Sequence, residues 1–279
     1  MSDTLARPTA PAPRSSGPRG AAIAIAIVGG VVGAVALVQG VAAAWPSSPL
    51  ERVVLELDAG ELDAATALDV DMGGADVDVS FADVDVATLE VDAPDADRWR
   101  LEVRGTTIHA HDGRGWGLLG WGGGFGFDDD QQVATLVLPD TLEGALDGDV
   151  EIGSGSIAVS GDWLRLDVDL ASGRADVDAT ATQASIDVAS GSASLDLVVE
   201  GDVRVDLASG DVVMTLEHAG DLEIGVASGT VDARLGSGPY DVTSEAAIGE
   251  AIVDVPQRPG AAQAIALEIA SGSVRLSER

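Results

Sequence analysis

From residue 164 onward, apolar and polar residues alternate with period two, as in LRLDVDL (164–170) and DVRVDL (202–207). That periodicity puts every second side chain on one face and marks half-buried strands. The runs are punctuated by Ser-Gly pairs. Their glycines are Gly155, Gly173, Gly191, Gly210 and Gly229, at steps of 18, 18, 19 and 19 residues, with a later copy at Gly272. A fixed period near twenty is the signature of stacked repeats. Where the pair is preceded by alanine, the residue before Ala-Ser-Gly is Leu170, Val188, Leu207, Val226 or Ile269. Two positions after the glycine stand Ala175, Ala193, Val212, Val231 and Val274. Stacked copies would bring these columns into one apolar core, with Asp167, Asp169, Asp187, Asp206 and Glu223 turned to water. Each period has room for two short strands, and a second corner often carries glycine, as at Gly201 and Gly220. Glycine suits such corners because it reaches positive φ without a steric penalty. The pattern predicts an all-β chain, a parallel β-solenoid of about 18 to 19 residues per coil, with Ala-Ser-Gly as one corner of each coil.

A degenerate form of the pattern begins earlier, in LDVDMGGADVDVSFADVDV (68–86), so the solenoid domain is expected to run from 65 to 279, after a linker and first strand at 45–64. Residues 236–264, with Pro239, Pro256 and Pro259, read as an excursion before a final coil that caps the open core.

Ahead of the repeats, residues 21–44 run without a charge. At about 1.5 Å per helical residue they would span roughly 36 Å, enough to cross a hydrocarbon core. Arg7, Arg14 and Arg19 precede this stretch against a single acid, Asp3. The positive-inside tendency then predicts one transmembrane helix, a cytoplasmic tail at 1–20 and an extracytoplasmic C-terminal domain in the plasma membrane. Pro8, Pro11, Pro13 and Pro18 mark the tail as disordered, and Trp45 stands where an interfacial anchor belongs. A cleaved signal peptide is the alternative, with Ala42 and Ala44 as small residues before a cut, although the apolar run exceeds the usual h-region.

Composition narrows the function classes. The 279 residues carry a formal charge of −32, with no cysteine and no lysine. Such a polyanion does not bind nucleic acid through a basic patch. Disulfides, thiolate-ligated zinc and thiol catalysis are excluded. Aromatic residues make up only 3%, so the core must be aliphatic.

Aliphatic-Asp strands closed by A-S-G and followed by an x-Val pair, behind one N-terminal apolar segment, resemble the bacterial β-strand-repeat family labelled "putative adhesin" domains, which includes Lia-type envelope proteins. The resemblance covers roughly residues 65 to 276. It implies an envelope protein with an adhesive or stress-linked role, and it brings no catalytic residues.

Three features invite a chemical reading. At a rung spacing of about 4.8 Å, Asp169, Asp187 and Asp206 would form a ladder of like charges, serving either as weak Ca²⁺ ligands or as a solvated face. The tandem nine-residue repetition of G-G-x-G-x-D that marks calcium-binding β-rolls is absent. His109 and His111 share a strand face, with Asp112 next to them, and could ligate a transition metal or simply lie at the surface. The stretch GRGWGLLGWGGGFGFDDD (113–130) holds Trp116, Trp121, Phe125 and Phe127, which could meet glycan, partner or membrane interface, or plug one end of the coil stack. No G-x-S-x-G, H-E-x-x-H, Walker or dinucleotide motif occurs. No catalytic, cofactor-binding or metal-ligating residue is therefore assigned, and no cofactor is expected.

The sequence thus reads as a membrane-anchored structural or interaction module without catalysis, its partners being the membrane and envelope proteins or glycans. The rivals are a glycan-active β-helix enzyme and an accessory sensor or scaffold of an envelope-stress system. The enzyme would show acids gathered in a groove with Arg or His, whereas along this sequence acids are spread evenly.

Overall fold

The computed structural model describes residues 50–113, 132–218 and 220–279. The expected tail, the apolar segment 21–44 and the aromatic positions of 114–130 lie outside the described residues. Among the described residues no helix is long and apolar enough to cross a membrane.

The described chain is almost entirely β. It begins with β1 (Glu51–Leu57) and a single turn of helix, α1 (Ala59–Leu62), followed by β2 (Ala67–Met72), β3 (Ala75–Ala82), β4 (Ala87–Ala93), β5 (Arg100–Arg104) and β6 (Thr107–His111). After these come β7 (Val133–Pro139), β8 (Asp147–Ile152), β9 (Gly155–Leu170), β10 (Gly173–Val188), β11 (Gly191–Val199), β12 (Val203–His218) and β13 (Leu222–Leu235). The chain ends with β14 (Tyr240–Ala246), β15 (Glu250–Asp254) and β16 (Gln263–Glu278). Among the described residues these strands join in one open sheet.

The repeat sets the pairing. β9, β10, β11, β12, β13 and β16 pair in parallel, and each Ser-Gly glycine faces the next: Gly155 with Gly173, Gly173 with Gly191, Gly191 with Gly210, Gly210 with Gly229, and Gly229 with Gly272. These glycines hold φ between 116° and 143°, where a side chain is strained. Space enforces the same choice. A Cβ on Gly210 would lie 1.8 Å from the Gly191 carbonyl oxygen.

The Ser-Gly pair also flips the inward parity. In β12, Val203, Val205 and Leu207 point inward before the pair, and Val212, Met214 and Leu216 after it. Each repeat therefore has two legs, one before Ser-Gly and one after, and the inward residues of both legs belong to one aliphatic core. All ten column positions expected inward, from Leu170 to Val274, are buried. Sinking one such Leu or Val contributes roughly 1.5–3 kcal/mol.

The two ends depart from simple sequential stacking. β2 and β3, joined at Gly73-Gly74, pair in parallel with β8 and β9, so residues 67–82 form a rung against a segment far along the chain. Around them, β4 and β7 pair antiparallel, as do β1 with β4 and β5 with β6. At the other end, β16 lies between β13 on one side and β14 with β15 on the other, all parallel. The expected order is thereby reversed. The excursion 236–264 supplies the outermost rung, and the last repeat is inserted beneath it. Gly249 makes this possible, since a Cβ there would meet the Gly272 carbonyl oxygen at 2.8 Å.

Replacing Gly210 by alanine should lower stability by about 1–3 kcal/mol or more. Gly60→Ala, in α1 with nothing within 4 Å of the added carbon, should leave it unchanged or slightly higher. Denaturant titration of both variants measures the contrast. Equal losses would show that the glycine stack is not what fixes the register.

Candidate functional site

The legs before Ser-Gly place two outward columns side by side. Strand pairing runs the first through Asp71, Glu151, Asp169, Asp187 and Asp206 in consecutive rungs, until Gly225 interrupts it. The second runs through Asp69, Asp149 and Asp167, then changes to Ser185, Arg204 and Glu223. The expected Asp169, Asp187 and Asp206 ladder is thus part of a longer one. Neighbouring rungs stand about 4.8 Å apart, a spacing at which like charges oppose each other.

The electrostatic response follows. Asp169 is pushed up to about 6, first by lost hydration among its neighbours and then by the charges of Asp149, Glu151 and Asp167. Asp187 is likewise pushed up to about 6, by lost hydration and then by Asp206 and Asp169. Asp149, Glu151, Asp167 and Asp206 are raised too, with lost hydration leading in each case. Arg204 relieves one end. Its Nε donates to Asp206 Oδ2 at 2.6 Å, and its Nη1 lies 2.9 Å from Glu223 Oε1.

Beside Arg204 the same face sinks into an open trough of about 500 Å³, where the small side chains of Ser185, Ala264 and Ala266 lie between longer ones. Register gathers there what sequence spreads out: Asp167, Asp202, Asp221 and Glu223 with Arg165 and Arg204. Most of these charges already have structural work. Asp202 Oδ1 accepts the backbone N–H of Asp221 at 2.9 Å, and Asp221 Oδ1 accepts that of Ala264 at 3.0 Å, so each acid ties its rung to the next. Arg165 Nη2 donates to Gln183 Oε1 at 3.2 Å. The trough offers a polar binding surface of mixed charge.

The histidine candidates do not converge. His109 Nδ1 lies 3.0 Å from Asp69 Oδ2, whereas His111 Nε2 lies 3.6 Å from Glu102 Oε1. Asp112 turns to the opposite face, is 2% exposed, and accepts the backbone N–H of Gly73 at 3.2 Å. Among the described residues, no group of three or more His, Asp or Glu side chains is placed to hold a metal ion.

One buried polar residue escaped the sequence reading. His218 occupies an inward position opposite Val199, stacked on Tyr240 with ring centroids 5.8 Å apart. Neither ring nitrogen has a hydrogen-bond partner among the described residues, and lost hydration holds its pKa below the ordinary value. Its parity was the available signal, since Val212, Met214, Leu216 and His218 form one inward series.

Compared with known proteins, the chain matches no family model and no curated protein. Solved structures with similar backbones include a "putative cell adhesion protein" of Clostridium sporogenes, at 11% identity and a TM-score of 0.40, covering 82% of this chain and 100% of that one. A "putative adhesin" of Bacteroides fragilis aligns at 11% identity and a TM-score of 0.40, over 81% of this chain and 97% of the other. A "putative lipid binding protein" of Parabacteroides distasonis aligns at 13% identity and a TM-score of 0.37, over 81% and 96%.

Crowded like charge makes stability depend on screening, whose length falls from about 30 Å at 0.01 M salt to about 10 Å at 0.1 M. The melting temperature of the purified chain should therefore rise with NaCl at neutral pH. Arg204→Met should lower it most at low salt. A melting temperature indifferent to NaCl in both proteins would contradict the stacked-acid geometry.

Proposed function

We propose that the chain is a membrane-anchored, extracytoplasmic β-solenoid that acts as a structural or interaction module of the cell envelope, adhesive or stress-linked, without catalysis. The observation that carries this reading is the glycine stack. The glycine of one tripeptide pairs with its own copies in rung after rung, and both legs of those rungs share a single core. Winding the chain once per repeat accounts for both facts. Such a framework holds outward side chains at fixed spacing, which suits recognition of an extended partner. Envelope proteins or glycans are the partners that suit the trough, while nucleic acid is disfavoured by the charge of −32. The anchor in this reading is the apolar segment 21–44, with the N-terminus cytoplasmic.

The trough favours a second reading, a glycan-active enzyme, because it does bring carboxylates and arginines together. Against it stand the backbone bonds that Asp202 and Asp221 already accept and the ion pairs of Arg204. These commit the same groups to holding rungs together.

Two experiments separate the readings. Purified chain retained on immobilised envelope polysaccharide without releasing new reducing ends supports a binding module. Release of reducing ends that Asp167→Asn abolishes would establish the enzyme instead. For topology, protease added to intact cells should remove a C-terminal tag, and a tag protected while external controls are digested would reverse the orientation.

A further inference from the structure

We propose that the acidic column is a proton-operated clamp: as the surroundings pass from neutral to mildly acidic, the Asp169–Asp187 step takes up protons and binds rungs β9 and β10 more tightly. This goes beyond the module reading and holds whether or not residues 21–44 anchor the chain.

The geometry comes first. Asp169 pairs directly with Asp187, and Asp187 with Asp206, so the three carboxyl groups occupy successive rungs of one column. Two carboxylates repel; a carboxyl group and a carboxylate share a hydrogen bond. A proton therefore turns a repulsive contact between rungs into an attractive one.

The surroundings reinforce the effect on one side and limit it on the other. From β8, Asp149 and Glu151 face Asp169, and within β9 Asp167 adds a third negative charge. From β2, Asp69 and Asp71 act on β8, while β6 contributes His109 beside Asp69. At the far end Arg204 pairs with Asp206 and with Glu223 of β13. Beyond Gly225 the column continues as Glu268 on β16 and Glu245 on β14. Arg204 thus keeps Asp206 more acidic than its own desolvation would and also acts against Asp187, which nonetheless stays at about 6, so the proton is directed to the Asp169–Asp187 step.

The direction of the stability change follows from linkage. A carboxyl group that binds its proton more tightly folded than unfolded stabilises the fold below its unfolded pKa, and that stabilisation is lost as pH rises through the folded value. For Asp169 and Asp187 the folded value is about 6 against an ordinary 3.8. Acidification from pH about 8 to about 5.5 passes the folded value and enters that window at its upper end. His218, held below its ordinary pKa, acts in the opposite sense, as do Asp92 and Glu102, which their arginines keep more acidic. A comparison between variants cancels these contributions.

The test uses the purified full chain at constant ionic strength. Its melting temperature should climb by several degrees between pH about 8 and about 5.5, relative to the double variant Asp169→Asn with Asp187→Asn. That variant should melt higher at pH 8 and show a flatter profile. If the two profiles run parallel, the clamp is wrong. Carboxyl ¹³C titration of the unmutated chain gives an answer independent of any variant. At least two aspartates should titrate well above the ordinary value of about 4, and ordinary midpoints throughout would overturn the proposal.

Discussion

Everything in this fold depends on backbone being allowed to lie against backbone at the Ser-Gly positions. A carbonyl of one rung occupies the space where the next rung's glycine would carry its Cβ, as at Gly173, where that atom would sit 1.8 Å from the Gly155 oxygen. Because the same contact recurs at each step, the register cannot drift by one residue between copies. A slip of one would turn every inward aliphatic outward. The glycine contact thereby fixes the identity of the core and, with it, the identity of the outer columns.

The outer columns show what strict register costs. A parallel, in-register stack sets like residue above like, which is favourable for Leu195 or Val205 and unfavourable for Asp169 or Asp187. The chain offsets the charge in two ways. Where Ser185 and Arg204 enter the second column, the run of acids is broken and Asp206 and Glu223 gain a cation. At the corners, Asp202 and Asp221 spend their charge on backbone N–H groups of the following rung, strengthening the stack they would otherwise oppose. Asp149, Glu151, Asp167, Asp169 and Asp187 stay close together and lie above their usual pKa values.

Much of this was legible in the alternation and the recurring tripeptide, since both express local rules. Leu207 and Val212 could be placed inward, and Asp169, Asp187 and Asp206 in one column, from spacing alone. The ends were not legible, for a different reason. That β2 and β3 lie against β8 and β9, or that β16 passes beneath β14 and β15, depends on which sheet edge is free, and periodicity carries no record of that. The trough was hidden for a similar reason: Asp167, Asp202 and Asp221 are far apart in sequence and become neighbours only once successive repeats are superposed. His218 was legible by parity and was passed over because its neighbours in the series are aliphatic.

The inserted position of β16 has a consequence for how the chain is completed. Were the rungs laid down in order of synthesis, each new strand would find its template already in place, and the last residues made would simply lengthen the stack. Here β14 and β15 emerge before the strand they pair with exists. Their native pairing requires residues 263–278, which lie between them and β13. β16 therefore closes the sheet as a keystone closes an arch: a chain cut before it would lose a middle course and strand the one beyond it.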